Sequence, residues 1–257
     1  MDCCKVNVPA VSVIMPAYNC ERYIEKAVRS VLTQSFKDFE LIVLDDGSSD
    51  NTKEIVRCLA KEDGRIVFLE NECNMGVAAT RNRGLDISRG KYIALLDSDD
   101  IWCETKLERQ IAKLESERAD ICYCSYAIID ADGEKIKRDY KVPETVGLNR
   151  MLRENYIGCS TVVISREALG NYRFLTDFYH EDYVLWLELL QNGAKAVGCR
   201  ETLAQWRLIK NSRSFNKKRS AAHRWRIYTD YLHFSRLKSA WLFVFYTLNG
   251  IKKYFCP

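Results

Sequence analysis

Gly90-Lys91-Tyr92-Ile93-Ala94-Leu95-Leu96-Asp97-Ser98-Asp99-Asp100 decides how this 257-residue chain is read. Lys91 to Leu96 is almost continuously apolar, the pattern of a strand buried on both faces of a parallel sheet. Its end delivers several carboxylates together at the mouth of that sheet. Working outward, Val11 to Met15, Phe39 to Leu44 and Arg65 to Leu69 have the same character. Helices are expected in the gaps. Ile24, Ala27, Val28, Val31 and Leu32 fall at helical spacing, Asn51 with Glu54 makes a capping box ahead of Ile55, Val56 and Leu59, and Gly76 to Ile87 supplies a short Ala-rich crossover. Strand and helix alternating in this way predict an α/β fold, an open doubly wound and mostly parallel sheet with helices on both faces.

Such sheets bind ligands beyond the carboxyl ends of their strands. The loops there are Pro16-Ala17-Tyr18-Asn19, Asp45-Asp46-Gly47-Ser48-Ser49-Asp50, Glu70 to Gly76, and Asp97-Ser98-Asp99-Asp100, so the rim is rich in carboxylates. Like charges this close repel. A hard divalent cation relieves the repulsion, and Mg²⁺ or Mn²⁺ takes one or two protein carboxylates while leaving positions for water and substrate phosphate. An isolated Asp-x-Asp more often marks a capped turn, since such turns are common. Asp46 on the same rim favours the ligand reading, because a carboxylate only accepts and suits the imide N–H of a uracil ring. Tyr18 offers a ring to stack on that base or packs within its loop.

After Trp102 the pattern becomes mixed. A helix is expected over Thr105 to Glu117, a strand over Ile121 to Ile129, a tight turn at Asp132-Gly133 leading back into Lys135 to Tyr140, and a strand over Ser160 to Ile164. His180-Glu181-Asp182 then precedes a helix from Tyr183 to Leu190, stopped by Asn192-Gly193. Trp186, Leu187 and Leu190 share one face of it and are assigned to the core. His180 either orients a substrate or is a hydrogen-bonded loop histidine.

Composition narrows the class. At 47% apolar and 29% charged residues with 12 Gly and 4 Pro, the chain is neither disordered nor low-complexity. Eleven cysteines, an odd number without a Cys-x-x-Cys, read as reduced thiols rather than a disulfide or zinc framework. From Gln205 to Pro257 there are 12 Lys/Arg against the single acid Asp230, giving +11, while the 27 basic and 34 acidic residues before it give −7. Two parts follow, a body over 1–204 and a basic helical extension over 205–257. In the extension Trp225, Tyr228 and Leu232 share one helical face, and Trp241, Val244, Phe245 and Leu248 another, before Lys252-Lys253. A basic amphipathic helix with interfacial aromatics suits an anionic membrane surface, expected here over 219–253; the alternatives are docking on the body or a homodimer contact. No run reaches the ~20 apolar residues that span a bilayer, and residues 1 to 10 lack a secretory signal's apolar block. A cytoplasmic protein, peripheral on the inner face of the cell membrane, is expected.

The chain resembles the inverting family 2 glycosyltransferases of GT-A fold. The likeness is carried, in order and spacing, by Val11 to Asn19, Asp45 to Asp50, Asn74 to Gly84, Gly90 to Asp100 and Glu181-Asp182. It implies a nucleotide-diphospho-sugar donor, by default a UDP-sugar. On that resemblance Pro16, Ala17, Tyr18 and Asp46 form the nucleoside pocket, with Asn74 and Arg81 beside them. Asp97-Ser98-Asp99 is the family's Asp-x-Asp motif, whose last acid, Asp99, holds Mn²⁺ or Mg²⁺, with Asp100 sharing that duty. Asp182 is the catalytic base. Arg207, with Asn211, Ser212 and Ser214, resembles the segment that closes over the donor.

The Gln-x-x-Arg-Trp signature of processive synthases is absent, since Gln205-Trp206-Arg207 runs in another order. The resemblance therefore implies transfer of a single sugar to a hydroxyl of a saccharide or lipid-linked saccharide in cell-surface polysaccharide biosynthesis. Two alternatives stand beside it: a polyprenyl-phosphate sugar synthase, whose anionic acceptor needs no base, and a noncatalytic module that binds nucleic acid or membrane through the tail. The acids filling each catalytic position weigh against the last, and no nucleic-acid partner is expected. No Gly-x-Gly-x-x-Gly follows the first strand, which disfavours a dehydrogenase.

Overall fold

The computed structural model describes residues 8–209 and 217–255. The chain order is β1 (Val11–Ala17), α1 (Ile24–Leu32), β2 (Phe39–Asp45), α2 (Thr52–Glu62), β3 (Ile66–Glu70), α3 (Val77–Ile87), β4 (Tyr92–Leu95), β5 (Ile101–Trp102), α4 (Lys106–Glu117), β6 (Ile121–Ile129), β7 (Thr145–Val146), α5 (Leu148–Met151), β8 (Val162–Ser165), α6 (Arg166–Leu169), α7 (Glu181–Gln191), β9 (Ala196–Arg207), α8 (Lys217–Arg226) and α9 (Arg236–Phe255). The strands join in the order β3-β2-β1-β4-β8-β6-β9-β5, with β7 paired to β9. The first four pair in parallel, as the continuous apolar runs predict; β8 enters antiparallel and mixes the second half.

Alternation along the strands divides the core. Val11, Val13 and Met15 face a layer built by Ile24, Ala27, Val28 and Val31 of α1, Val56 and Leu59 of α2, and Leu107, Ile111 and Leu114 of α4. Ile14, Ile42 and Leu44 face the opposite layer, made by Ala78 and Leu85 of α3, Val184, Leu185, Trp186 and Leu187 of α7, and Tyr228 and Leu242 of the extension. Helices thus cover both faces. Register brings Ala17 level with Asp45 and Asp45 level with Glu70, so the loops that follow β1, β2 and β3 open at one edge. Asp97 to Asp100 leave β4 at that edge.

Several local expectations are corrected. Asn51 makes no side-chain cap on α2; the Asp50 carboxylate accepts from the Thr52 N–H instead, and Glu54 pairs with Arg57. Lys135 to Tyr140 forms two isolated bridges, at Lys135 and Tyr140, rather than a strand, because the Asp130 carboxylate gathers the N–H groups of Asp132, Gly133 and Glu134 into a tight loop. A single turn of 3-10 helix, Cys159–Thr161, replaces the start of the strand expected at Ser160. The boundary placed after residue 204 falls inside β9, which continues to Arg207. Asn211, Ser212 and Ser214 lie outside the described residues.

Candidate active site

At the carboxyl edge of the sheet lies a cavity of about 710 Å³, a size that suits a small-molecule ligand. Pro16, Ala17, Tyr18, Asp46, Asn74, Arg81, Asp97, Ser98, Asp99, Asp100, Asp182 and Arg207 all line it, so these sequence-predicted residues come to one place. Their roles within it differ.

One wall is organised by Asp46. Its Oδ1 accepts from the Asn71 amide at 2.7 Å and the Met75 N–H at 2.8 Å, and its Oδ2 from the Gly76 N–H at 2.9 Å. Three donors leave part of Oδ2 to accept from a ligand. Asp46 therefore also shapes the Asn74–Gly76 loop that forms the wall. Gly47 approaches this loop so closely, at φ +77°, that an added Cβ would stand 2.9 Å from the Asn74 nitrogen. Ser48 and Asn19 tie the next turn to the loop after β1, where the Tyr18 ring stands half exposed.

The three aspartates after β4 diverge. Asp97 pairs with Arg81 at 2.6 Å. Asp100 is buried, accepting from the Ser160 hydroxyl through one oxygen and from the Arg207 N–H at 2.8 Å through the other. Burial, then the neighbouring Asp99 and Asp97, hold its carboxyl well above the usual range. Each oxygen thus already holds one donor, and through them Asp100 fastens the loop at the cavity wall. Asp99 lines the cavity with its carboxyl pushed up to about 6 by burial and by Asp97, against the opposing charge of Arg207. A divalent cation relieves that pressure.

Arg207 has main-chain partners that the sequence did not reveal. It is buried; its Nε donates to the Asp99 carbonyl and its Nη1 to the Asp130 and Ala131 carbonyls, with the guanidinium 4.9 Å from the Tyr23 ring centre. Through Nε and Nη1 it straps the loop after β4 to the loop after β6 while it lines the cavity.

On the facing side, α7 begins at Glu181, two residues before the expected start, which puts Asp182 in its first turn. Asp182 Oδ1 accepts from the Tyr183 N–H at 2.7 Å. Burial and the neighbouring Glu181 raise its carboxyl to about 6, with Arg81 opposing. Arg81 is the hinge of the site: its Nη2 donates to Asp97 and its Nη1 to Glu181, at 2.6 and 2.7 Å, all but inaccessible to solvent. It joins the aspartate loop to the helix that carries Asp182, a bridging role that was not part of the donor contact expected of it. Glu181 was visible in sequence only as an acid beside Asp182. That it meets an arginine a hundred positions earlier is a property of the fold.

The acids fit a metal of the Mg²⁺ or Mn²⁺ kind. Among the described residues no cluster of three or more potential ligands occurs. One free carboxylate, with substrate phosphate and water completing the shell, is how such ions are commonly held.

The comparisons accord with this geometry. Residues 12–173 match the family described as Glycosyl transferase family 2. The putative teichuronic acid biosynthesis glycosyltransferase TuaG of Bacillus subtilis (strain 168) is 38% identical over 245 residues, spanning 95% of this chain and 97% of its own length. The Escherichia coli protein named UDP-Glc:alpha-D-GlcNAc-diphosphoundecaprenol beta-1,3-glucosyltransferase WfgD is 38% identical over 246 residues, 95% of this chain and 94% of that one. Among solved structures, the mannosyltransferase PcManGT from Pyrobaculum calidifontis in complex with GDP-Man and Mn²⁺ has a TM-score of 0.70 at 18% identity, covering 96% of this chain and 76% of that one, which shows a shared fold. By sequence, by architecture and by the acids at the mouth of its sheet, the chain belongs to glycosyl transferase family 2.

Proposed function

We propose that the protein transfers a single sugar from a UDP-sugar to a hydroxyl of a lipid-linked saccharide in cell-surface polysaccharide synthesis, with inversion at the anomeric carbon. The observation that carries this reading is that Asp99 and Asp182, each raised to about 6, line the same cavity from separate elements. The relative WfgD is named for UDP-Glc and a diphosphoundecaprenol acceptor, and TuaG for teichuronic acid, which supports a UDP donor and a lipid-linked acceptor.

Asp46, Asn74 and Tyr18 receive the nucleoside: the remaining capacity of Asp46 Oδ2 meets the uracil imide, and the Tyr18 ring stacks on the base. Asp99 holds the divalent cation, Mn²⁺ or Mg²⁺. Bound there, the ion neutralises charge that develops on the departing diphosphate. Asp182 accepts the proton of the acceptor hydroxyl, which makes it a competent nucleophile on the face opposite the leaving group. Arg81 offsets the charge of Glu181 and Asp97 and so keeps the base helix and the donor loop in fixed relation. One displacement converts an α-linked donor into a β-linked product.

The test is incubation of the protein with UDP-glucose, Mn²⁺ and a short-chain lipid diphosphate saccharide. NMR of the product is expected to show one added sugar in β-linkage. An α-linked product, or efficient transfer to a bare polyprenyl phosphate, contradicts the proposal.

A further inference from the structure

The basic extension does not hang free of the body. Tyr228 and Leu242 are fully buried in the same core layer as Trp186, and the Tyr228 hydroxyl donates to the Leu152 carbonyl at 2.7 Å. The Trp225 ring meets Phe243 edge-on, and the buried Arg224 guanidinium lies 3.4 Å from the Tyr183 ring centre, one residue beyond Asp182. One face of α9 is thus accounted for. The other is not: Leu237, Trp241, Val244 and Leu248 fall on a single stripe and are 86%, 50%, 55% and 56% exposed. Four large apolar side chains in a row do not face water without a reason.

We propose that this stripe seats in the headgroup layer of an anionic membrane and presents the acceptor side of the cavity to it. The chemistry of the occupant follows from charge. α9 carries Arg236, Lys238, Lys252 and Lys253 and no acid, and Arg236 and Lys238 are exposed on either side of Leu237. Anionic lipid is attracted by that field, whereas a second copy would bring an equally cationic surface against it. The geometry favours a helix lying on the membrane rather than through it, because no helix among the described residues is long and apolar enough to cross one. Trp241 sits where an amphipathic ring suits the interface.

The same face communicates with the site. The Arg153 guanidinium packs 5.0 Å from the Trp241 ring and 5.2 Å from the Phe245 ring, and the Arg153 carbonyl accepts from Asn249. Two and three residues on, Asn155 and Tyr156 line the cavity. Seating α9 in the headgroups therefore brings that wall of the cavity near the plane where a lipid-borne saccharide emerges. This step rests on the lipid-linked acceptor proposed above.

Cosedimentation of the full chain with phosphatidylcholine vesicles, with and without phosphatidylglycerol, tests it. Binding to the anionic vesicles is expected to exceed binding to neutral ones by at least about tenfold and to fall by a similar factor in the double variant Trp241→Glu, Leu248→Glu. Leu237→Glu, at the most exposed position, is expected to weaken binding in the same sense. Thermal stabilisation by UDP with Mn²⁺, measured on the same samples, is expected to be unchanged. Equal binding to both vesicle types, variants that bind like the parent, or a stripe substitution that splits a dimer without altering lipid affinity overturns the proposal. Anionic-vesicle binding with no sugar transfer to a lipid diphosphate saccharide in those vesicles contradicts the acceptor reading instead, and so separates the two failures.

Discussion

Asp97, Asp99 and Asp100 carry the same side chain into three environments, and their chemistry follows from the difference. Asp97 pairs with Arg81, Asp100 accepts from Ser160 and the Arg207 N–H, and Asp99 lines the cavity under pressure from burial and from Asp97. Asp182 is raised by the same causes, burial first and a neighbouring acid second. A base acts only when unprotonated, so kcat/KM is expected to rise as pH climbs through about 6 and to level off above it. In Asp182→Asn turnover should fall on the order of 10² to 10⁴-fold while nucleotide affinity stays nearly constant, which initial rates and a binding isotherm separate. A fall in affinity with kcat intact would move Asp182 from catalysis to binding.

The turn after β2 shows how an element fixes the donor wall. Gly47 occupies positive φ where an added Cβ would meet the Asn74 backbone, and Asp46 collects the Met75 and Gly76 N–H groups from the same loop. Gly47→Ala adds a Cβ to a left-handed position and into that contact. It should destabilise the protein by about 1–3 kcal/mol and raise KM for the nucleotide donor more than it lowers kcat, as denaturant titration and kinetics would show. The parallel half of this architecture was legible in sequence, because strands buried on both faces leave continuous apolar runs, as at Val11 to Met15 and Lys91 to Leu96. Local polar choices were not. Asn51 and Asp50 are both competent caps for α2, and tertiary placement selected Asp50; Lys135 to Tyr140 lost its pairing to the loop that Asp130 organises. The three carbonyls that Arg207 binds were likewise hidden, because a sequence records its charge and not its neighbours.

At the scale of the whole molecule, the acidic body and the basic extension share one core layer. Tyr228 and Leu242 complete the layer that also holds α3 and α7, so the helix bearing Asp182 is packed between the sheet and the extension. Tyr228→Phe leaves the Leu152 carbonyl without its buried donor and should cost about 1–3 kcal/mol in a single unfolding transition. A separate early transition for the extension would contradict a shared core. The recognised rim residues converge because the parallel strands end level, while the Arg81 bridge between Asp97 and Glu181 emerges only when α7 closes the far side. The central claim is that Asp99 anchors a cation for a nucleoside diphosphate in the cavity that Asp182 faces. Calorimetric titration of UDP with and without Mn²⁺ measures this most directly. Binding that needs Mn²⁺, weakens at least about tenfold in Asp99→Asn and is little changed in Asp182→Asn is the predicted result; UDP binding that is the same in EDTA and in Asp99→Asn would contradict it.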